Sequence, residues 1–519
     1  MATFHWMESM TNRKRSFAVG AVLIVFCISL GVGIWLLANP SDEATPTATS
    51  SVNEPTDRWG VIYVGRQRVG YVHETSEPIP QKDQQLLRTI QETHLNFQRF
   101  GQPTVIQTHL ETVETADGEL RSFAFESRNP PATVTRTSGV VEGKQLRLTS
   151  ETAGKSESKT IPWKRETKSP AWLERNFQVA PLDEHETRMF RVYIPELNQT
   201  ATVNIEADDM ETERMLDGKR KRLLKAQVER STDPFPIDIW LTESGEAVKT
   251  SLPIFDKQLI TYRVSQEEAL RKIAGAELDL SMDTMVSVEP IPNAHRTRKI
   301  VYRITTPGED PTKILPSAPY QSLRPFDQHT ADVTVTAVDP HGHGEYDKVD
   351  PVYLQATRFL QLDDPNVQKL ANEVPKAITK PTDVAIRLEK IVHESLTNKN
   401  FSTALASAAE VAASREGDCT EHAVLLAALL RAKKIPSRIA VGLVYVQSLN
   451  GFGGHMWTEA FLNGQWVPLD ATIGQGGTGA AHIKLAESSF ADDAPAPVTT
   501  FLPLMNILGR IQIEVLEAE

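Results

Sequence analysis

The run Val424-Leu425-Leu426-Ala427-Ala428-Leu429-Leu430 constrains the fold of this chain more than any other stretch. Wound as a helix it is apolar on nearly every side, and such a helix belongs at the centre of a core. The segment leading into it, Arg415-Glu416-Gly417-Asp418-Cys419-Thr420-Glu421-His422-Ala423, is polar. Asp418 suits the N-cap, and Glu421 three residues later completes a capping-box pattern. Cys419 is then the first helical residue, where the partial positive charge of the helix N-terminus favours thiolate over thiol. A thiol at the tip of a buried helix has the fixed position that nucleophilic catalysis requires. The bland alternative is an inert core cysteine, since free cysteine is often buried.

The base for such a thiol comes from elsewhere in the chain. Gly454-His455-Met456-Trp457-Thr458-Glu459-Ala460-Phe461-Leu462 reads as a strand, Asn463-Gly464 as a two-residue hairpin turn, and Gln465-Trp466-Val467-Pro468-Leu469-Asp470 as the return. With Leu462 opposite Gln465, His455 falls opposite Thr472, and Asp470 is its diagonal neighbour on the same face. Diagonal neighbours lie about 7–8 Å apart, within reach of a His–carboxylate hydrogen bond. Asp470 would fix the imidazole tautomer while His455 moves the thiol proton. A one-residue slip would send the two side chains to opposite faces. Cys419, His455 and Asp470 are therefore the expected catalytic triad. Trp457 and Trp466 share the His–Asp face, as groove walls or as packing aromatics. A zinc set of Cys419, His422, His455 and Asp470 is a rival use of the same residues. The triad explains thiol, imidazole and carboxylate without a metal, so no metal or cofactor is expected, and His422 reads as a supporting or core histidine.

Upstream the pattern is strand. Val61 and Tyr63, then Val69 and Tyr71, alternate around the Gly65-Arg66 corner, and further alternating runs continue to about 263 between turn signals such as Asp117-Gly118 and Asp217-Gly218. This predicts a mostly antiparallel β domain over 59–275 whose partner the sequence does not name. A β-rich lead-in follows over 276–350, including an alternating strand at 296–306. A catalytic domain fills 351–519, with helices after Pro365 and Pro381 and a short one at Ala408–Ser414. Lys219-Arg220-Lys221-Arg222 reads as the solvated start of a return strand. Asp339-Pro340-His341-Gly342-His343-Gly344-Glu345 reads as a polar turn, and Gly474–Gly479 as a flexible loop beside Asp470 that lacks a phosphate-loop ending.

At the N-terminus, Arg13-Lys14-Arg15 precedes an uninterrupted apolar run from Phe17 to Ala38. A spanning helix needs about 20 such residues, and basic residues before it place that end in the cytoplasm. The expectation is a cytoplasmic 1–16, a transmembrane helix over 17–38, a flexible linker over 39–58, and the bulk of the chain periplasmic or otherwise extracytoplasmic. A cleaved signal peptide is the rival, but its apolar core would be about 7–15 residues and Leu36 stands where a small residue is wanted. Because Cys27 lies in that run, Cys419 is the one thiol left for the exported part, which has no disulfide of its own. Asp and Glu number 67 against 55 Lys and Arg, a net charge of -12. That balance speaks against nucleic acid as a partner, since phosphate binding wants a basic face.

Gly417-Asp418-Cys419-x-Glu421-His422-Ala423, Ile435-Pro436-Ser437-Arg438 with Val441-Gly442, Gly454-His455-x-Trp457-x-Glu459, and Gly464-x-Trp466-x-Pro468-x-Asp470-Ala471-Thr472 follow one another in this order. Over roughly 350–490 they resemble the bacterial transglutaminase-like superfamily. The resemblance implies a papain-like α+β core, with the cysteine helix packed on a sheet bearing His and Asp. It also implies acyl transfer on a protein or peptide substrate: thiolate attack on an amide, a thioester, then attack by an amine or by water. The lack of disulfides in the exported part points to the bacterial envelope as the place. Hydrolysis is favoured slightly, by analogy with the breadth of the family. The backbone N–H of Cys419 is the first oxyanion donor to expect. The fold class expected for the whole chain is α+β, with a transmembrane helix, an antiparallel β domain and a papain-like core. The alternative function is a catalytically silent, membrane-tethered binding scaffold.

Overall fold

The computed structural model of the chain describes residues 55–80, 85–129, 134–152, 154–233, 235–271, 278–306, 308–346, 348–401, 405–492 and 497–519. Alternation shapes the first half. In β3 (Gln85–Arg99) the odd-numbered residues from Leu87 to Arg99 are buried and the even-numbered ones between them are less so, the period of two that a pleated strand imposes. This strand belongs to an antiparallel sheet of fourteen, from β1 (Thr56–Val64) to β14 (Lys257–Val264). Neighbours in sequence pair, except that β1 also pairs with β14, and β8 (Lys155–Pro162) and β9 (Thr187–Ile194) form the two edges. A helix, α1 (Trp172–Val179), lies in the connection between those edges.

Two smaller sheets follow. One has the order β17 (Gln321–Pro325), β18 (Thr330–Thr336), β16 (Lys299–Thr305), β23 (Gln512–Ala518). The other has the order β15 (Val286–Ser287), β20 (Gly451–Leu462), β19 (Ser437–Val446), β22 (His482–Ser488), with β21 (Gln465–Leu469) also on β20. Helices α2 (Pro365–Ala371), α3 (Pro381–Ser395) and α4 (Ala408–Ser414) surround α5 (Cys419–Ala432), which packs on β19 and β20. Every residue of α5 from Cys419 to Arg431 is buried. The apolar core is continuous from Val72, Leu95 and Phe97 of the large sheet to Leu425 and Leu429 of α5. Each such side chain contributes about 1.5–3 kcal/mol by leaving water.

Two expectations need correcting. The fold class is mostly antiparallel β rather than α+β, because alternation rather than helical periodicity governs most of the described chain. Among the described residues, moreover, no helix is long and apolar enough to cross a membrane. The buried helix α5 has 14 residues and at about 1.5 Å per residue reaches roughly 21 Å, short of a hydrocarbon core of about 30 Å. The transmembrane helix expected over 17–38 lies outside the described residues, as does most of the linker 39–58. The single-pass membrane placement built on that helix is therefore unsupported.

Candidate active site

Helix α5 begins as its sequence demands. The Asp418 side chain accepts from the Thr420 N–H at 2.8 Å, and the Glu421 side chain accepts from the Asp418 N–H at 3.0 Å, so both halves of the capping box are made. Gly417 makes this possible: at φ +145° its Cβ position lies 2.3 Å from Glu421 Cβ, so any side chain there would strike the box. Cys419 is the first helical residue, with 1% of its surface exposed. His422, one turn on, has its Nδ1 2.5 Å from the Asp418 carbonyl and its Nε2 3.0 Å from Lys399 Nζ. Burial, then the Lys399 charge, push its pKa down to about 3. A neutral ring that donates to the carbonyl and accepts from the ammonium has no nitrogen left for zinc. Helix α5 packs on β20, the strand that carries His455.

The second half of the site is built by the hairpin. Asn463 (φ 48°) and Gly464 (φ 77°) take the positive-φ pair that a type I′ turn requires. The register runs without a shift from Leu462↔Gln465 to Thr458↔Leu469. Strand β21 then stops. β15 pairs with β20 at Gly451 and Phe452, and β21 pairs with it from Thr458 onward. Among the described residues, 453–457 therefore have no ladder partner along that edge, and His455 stands in the opening. Asp470 turns into the same opening instead of continuing the ladder. Its N–H donates to Glu389 Oε1 at 3.0 Å, and its Oδ2 lies 2.8 Å from His455 Nε2. Its Oδ1 accepts from the Thr472 N–H at 2.9 Å. Thr458, on the other face of β20, donates to the Ala423 carbonyl at 2.8 Å and pins the first turns of α5 to this strand.

Residues 368–471 match the model of the transglutaminase-like superfamily. This stretch is a transglutaminase-like domain. No curated protein matches the chain by sequence. Among solved structures the chain is similar to a candidate cysteine protease from Cytophaga hutchinsonii, at 18% identity over 42% of this chain and 85% of that one, with a TM-score of 0.27. It is also similar to a β-barrel-like protein of a domain of unknown function from Brucella abortus, at 10% identity over 40% and 96%, with a TM-score of 0.28. Likenesses this distant carry no weight for the chemistry.

Several further groups stand in and beside the transglutaminase-like domain; His482 and Glu389 had no signal in the sequence, whereas Glu459 belongs to the motif Gly454-His455-x-Trp457-x-Glu459. His482 of β22 brings its Nε2 to 3.0 Å from the same Asp470 Oδ2 that faces His455. Burial by itself would raise the Asp470 pKa, but the two imidazoles, His455 first, outweigh it and hold the carboxyl well below its usual range. His455, Asp470 and His482 offer ligand atoms within 4.8 Å of one another. With both Nε2 atoms at hydrogen-bond distance from one oxygen, Asp470 serves here as their shared acceptor. Glu389 of α3 takes the Gly476 N–H at 2.6 Å on its second oxygen. Burial and then the Asp470 charge push it up to about 8. Glu459 sits two strand positions beyond Trp457, bonded by Lys484 at 2.8 and 3.0 Å, by Arg438 at 2.5 Å and by the Tyr320 hydroxyl.

Trp457 packs beside the His455 ring at 6.2 Å and edge-on to His482 at 5.3 Å. Trp466 instead packs among Phe461, Tyr353 and the Arg438 guanidinium. The Asp339–Glu345 segment is a polar loop that straps the hairpin turn, with the Gly344 N–H on the Asn463 carbonyl.

Proposed function

We propose that the protein is a cysteine hydrolase or acyltransferase acting on peptide-type amides of a protein or peptide substrate. The observation that carries this reading is the buried His455–Asp470 pair, standing at an opening in the sheet beside the capped start of α5. Asp470 engages Nε2, which leaves Nδ1 as the ring nitrogen to take the Cys419 proton. The thiolate attacks the amide carbonyl carbon. Negative charge gathers on the carbonyl oxygen, toward the Cys419 N–H at the helix N-terminus. His455 returns the proton to the leaving amine as the C–N bond breaks, and the thioester is released by water or by a second amine. In this scheme Cys419 and His455 are catalytic and Asp470 orients His455.

A second reading, a catalytically silent binding scaffold, draws on the 1% exposure of Cys419. Intact-mass measurement of iodoacetamide labelling across pH separates the two. The catalytic reading expects Cys419 to label well below the ordinary thiol pKa of about 8.5, and His455→Ala to slow it. It also expects hydrolysis of a peptide library, or incorporation of a tagged amine, that Cys419→Ala abolishes. A thiol that labels only after denaturation makes the scaffold reading the right one.

A further inference from the structure

The fourteen-stranded sheet reaches the candidate active site through Arg99. Arg99 is the last residue of β3, on its buried face, and its Nη2 lies 2.8 Å from Oδ2 of Asp418, 319 positions away. Both side chains are wholly buried, at 0% exposure. Asp418 is the residue before Cys419, and its other oxygen caps α5 through the Thr420 N–H.

The delivery is tightly held. β3 turns into β4 (Gln102–Thr115) through Phe100 and Gly101, whose N–H groups donate to the two oxygens of Asp279 at 3.0 and 2.8 Å. On the far side of the turn, Gln102 Oε1 accepts from the Phe401 N–H at 2.9 Å, and the Thr104 hydroxyl donates to the Phe401 carbonyl. The hairpin tip is thus fastened to 399–401, the segment whose Lys399 meets His422 of α5.

We propose that Arg99 is a positioning residue for Cys419, neutralising the buried Asp418 at the start of α5 so that the thiolate can form there. This rests on the catalytic reading of Cys419. A buried ion pair is no better for stability than well-packed apolar residues of the same volume, so stability alone does not account for charge at this position. An unpaired carboxylate one residue from Sγ would oppose a second negative charge and cancel the attraction of the helix N-terminus. The large sheet, silent in sequence, then completes the nucleophile's surroundings from outside the transglutaminase-like domain. The substitutions below leave in place the other titratable groups of the helix tip and its neighbours, Glu421, His422, Lys399, His393, His455 and Asp470.

The test is a pH titration of the Cys419 thiolate by its ultraviolet absorbance in the full chain, each variant paired with its Cys419→Ala counterpart. Arg99→Gln should raise the midpoint by a unit or more, which is about a tenfold loss of thiolate at pH values below it. Arg99→Gln combined with Asp418→Asn should titrate like Asp418→Asn alone, because Asn still caps the helix and no charge remains to neutralise. An unmoved midpoint in a folded Arg99→Gln protein would overturn the proposal. So would an Arg99→Gln displacement of equal size in the Asp418→Asn background, which also decides the matter if Arg99→Gln alone does not fold. A wild-type midpoint near about 8.5 would refute the activated-thiol reading, whereas the displacement between variants still decides the role of Arg99.

Discussion

Asp470→Asn is the sharpest perturbation of the proposed chemistry, because it is isosteric and changes one atom's role. Oδ2 now faces two imidazole Nε2 atoms, from His455 at 2.8 Å and His482 at 3.0 Å. An amide nitrogen in its place donates rather than accepts, so both rings must present lone pairs on Nε2. The His455 proton moves to Nδ1, the nitrogen that should receive the thiol proton, and the carboxylate that favours the imidazolium is gone. The thiol should then return toward its ordinary pKa of about 8.5, leaving roughly 0.3% thiolate at pH 6. If the wild-type thiol is essentially ionised there, labelling at that pH falls about 300-fold, while labelling well above pH 9 is nearly unchanged. Replacing two charge-assisted hydrogen bonds by neutral ones should also cost about 2–3 kcal/mol of stability. Stopped labelling followed by intact mass reads the rate, and denaturant unfolding reads the stability. A folded Asp470→Asn protein labelling at pH 6 within threefold of wild type would refute the His–Asp account.

Two further outcomes follow from buried charge. Glu459→Gln leaves Lys484 and Arg438 buried with Glu487 as their carboxylate partner among the described residues, and should cost about 3 kcal/mol at neutral pH. The Glu459 pKa is lowered because, against burial, Lys484 and Arg438 favour its charge. That stability is present above the unfolded pKa and lost as pH falls, so the gap between variant and wild type should close in acid; a neutral-pH loss below about 1 kcal/mol would count against the network. His422 is held neutral, its pKa pushed from 6.5 to about 3. Below pH 6.5 the unfolded chain binds a proton that the folded one refuses, so wild type should lose about 1.4 kcal/mol per pH unit from this group down to about pH 3. His422→Gln should flatten the acid limb by that amount in denaturant melts, and identical slopes would dismiss the assignment.

What was legible in the sequence was local. The capping box of Asp418 and Glu421 and the hairpin register set by Asn463-Gly464 each depend on groups a few residues apart, so residue types and spacing suffice to place them. The same register brought Asp470 to the His455 side, though the strand leaves its ladder at Leu469 and the contact forms in an opening no pattern announced. The balance of helix and strand is not legible in the same way, because a short apolar helix and a long β meander weigh alike when read as motifs. Packing alone decided the rest. His482 meets Asp470 across 12 residues, Glu389 across 81 and Arg99 meets Asp418 across 319. Such partners are chosen by which surfaces the core brings together. A buried charge must find a counter-charge or a hydrogen bond wherever the fold supplies one, and its own neighbours in sequence do not say where that is.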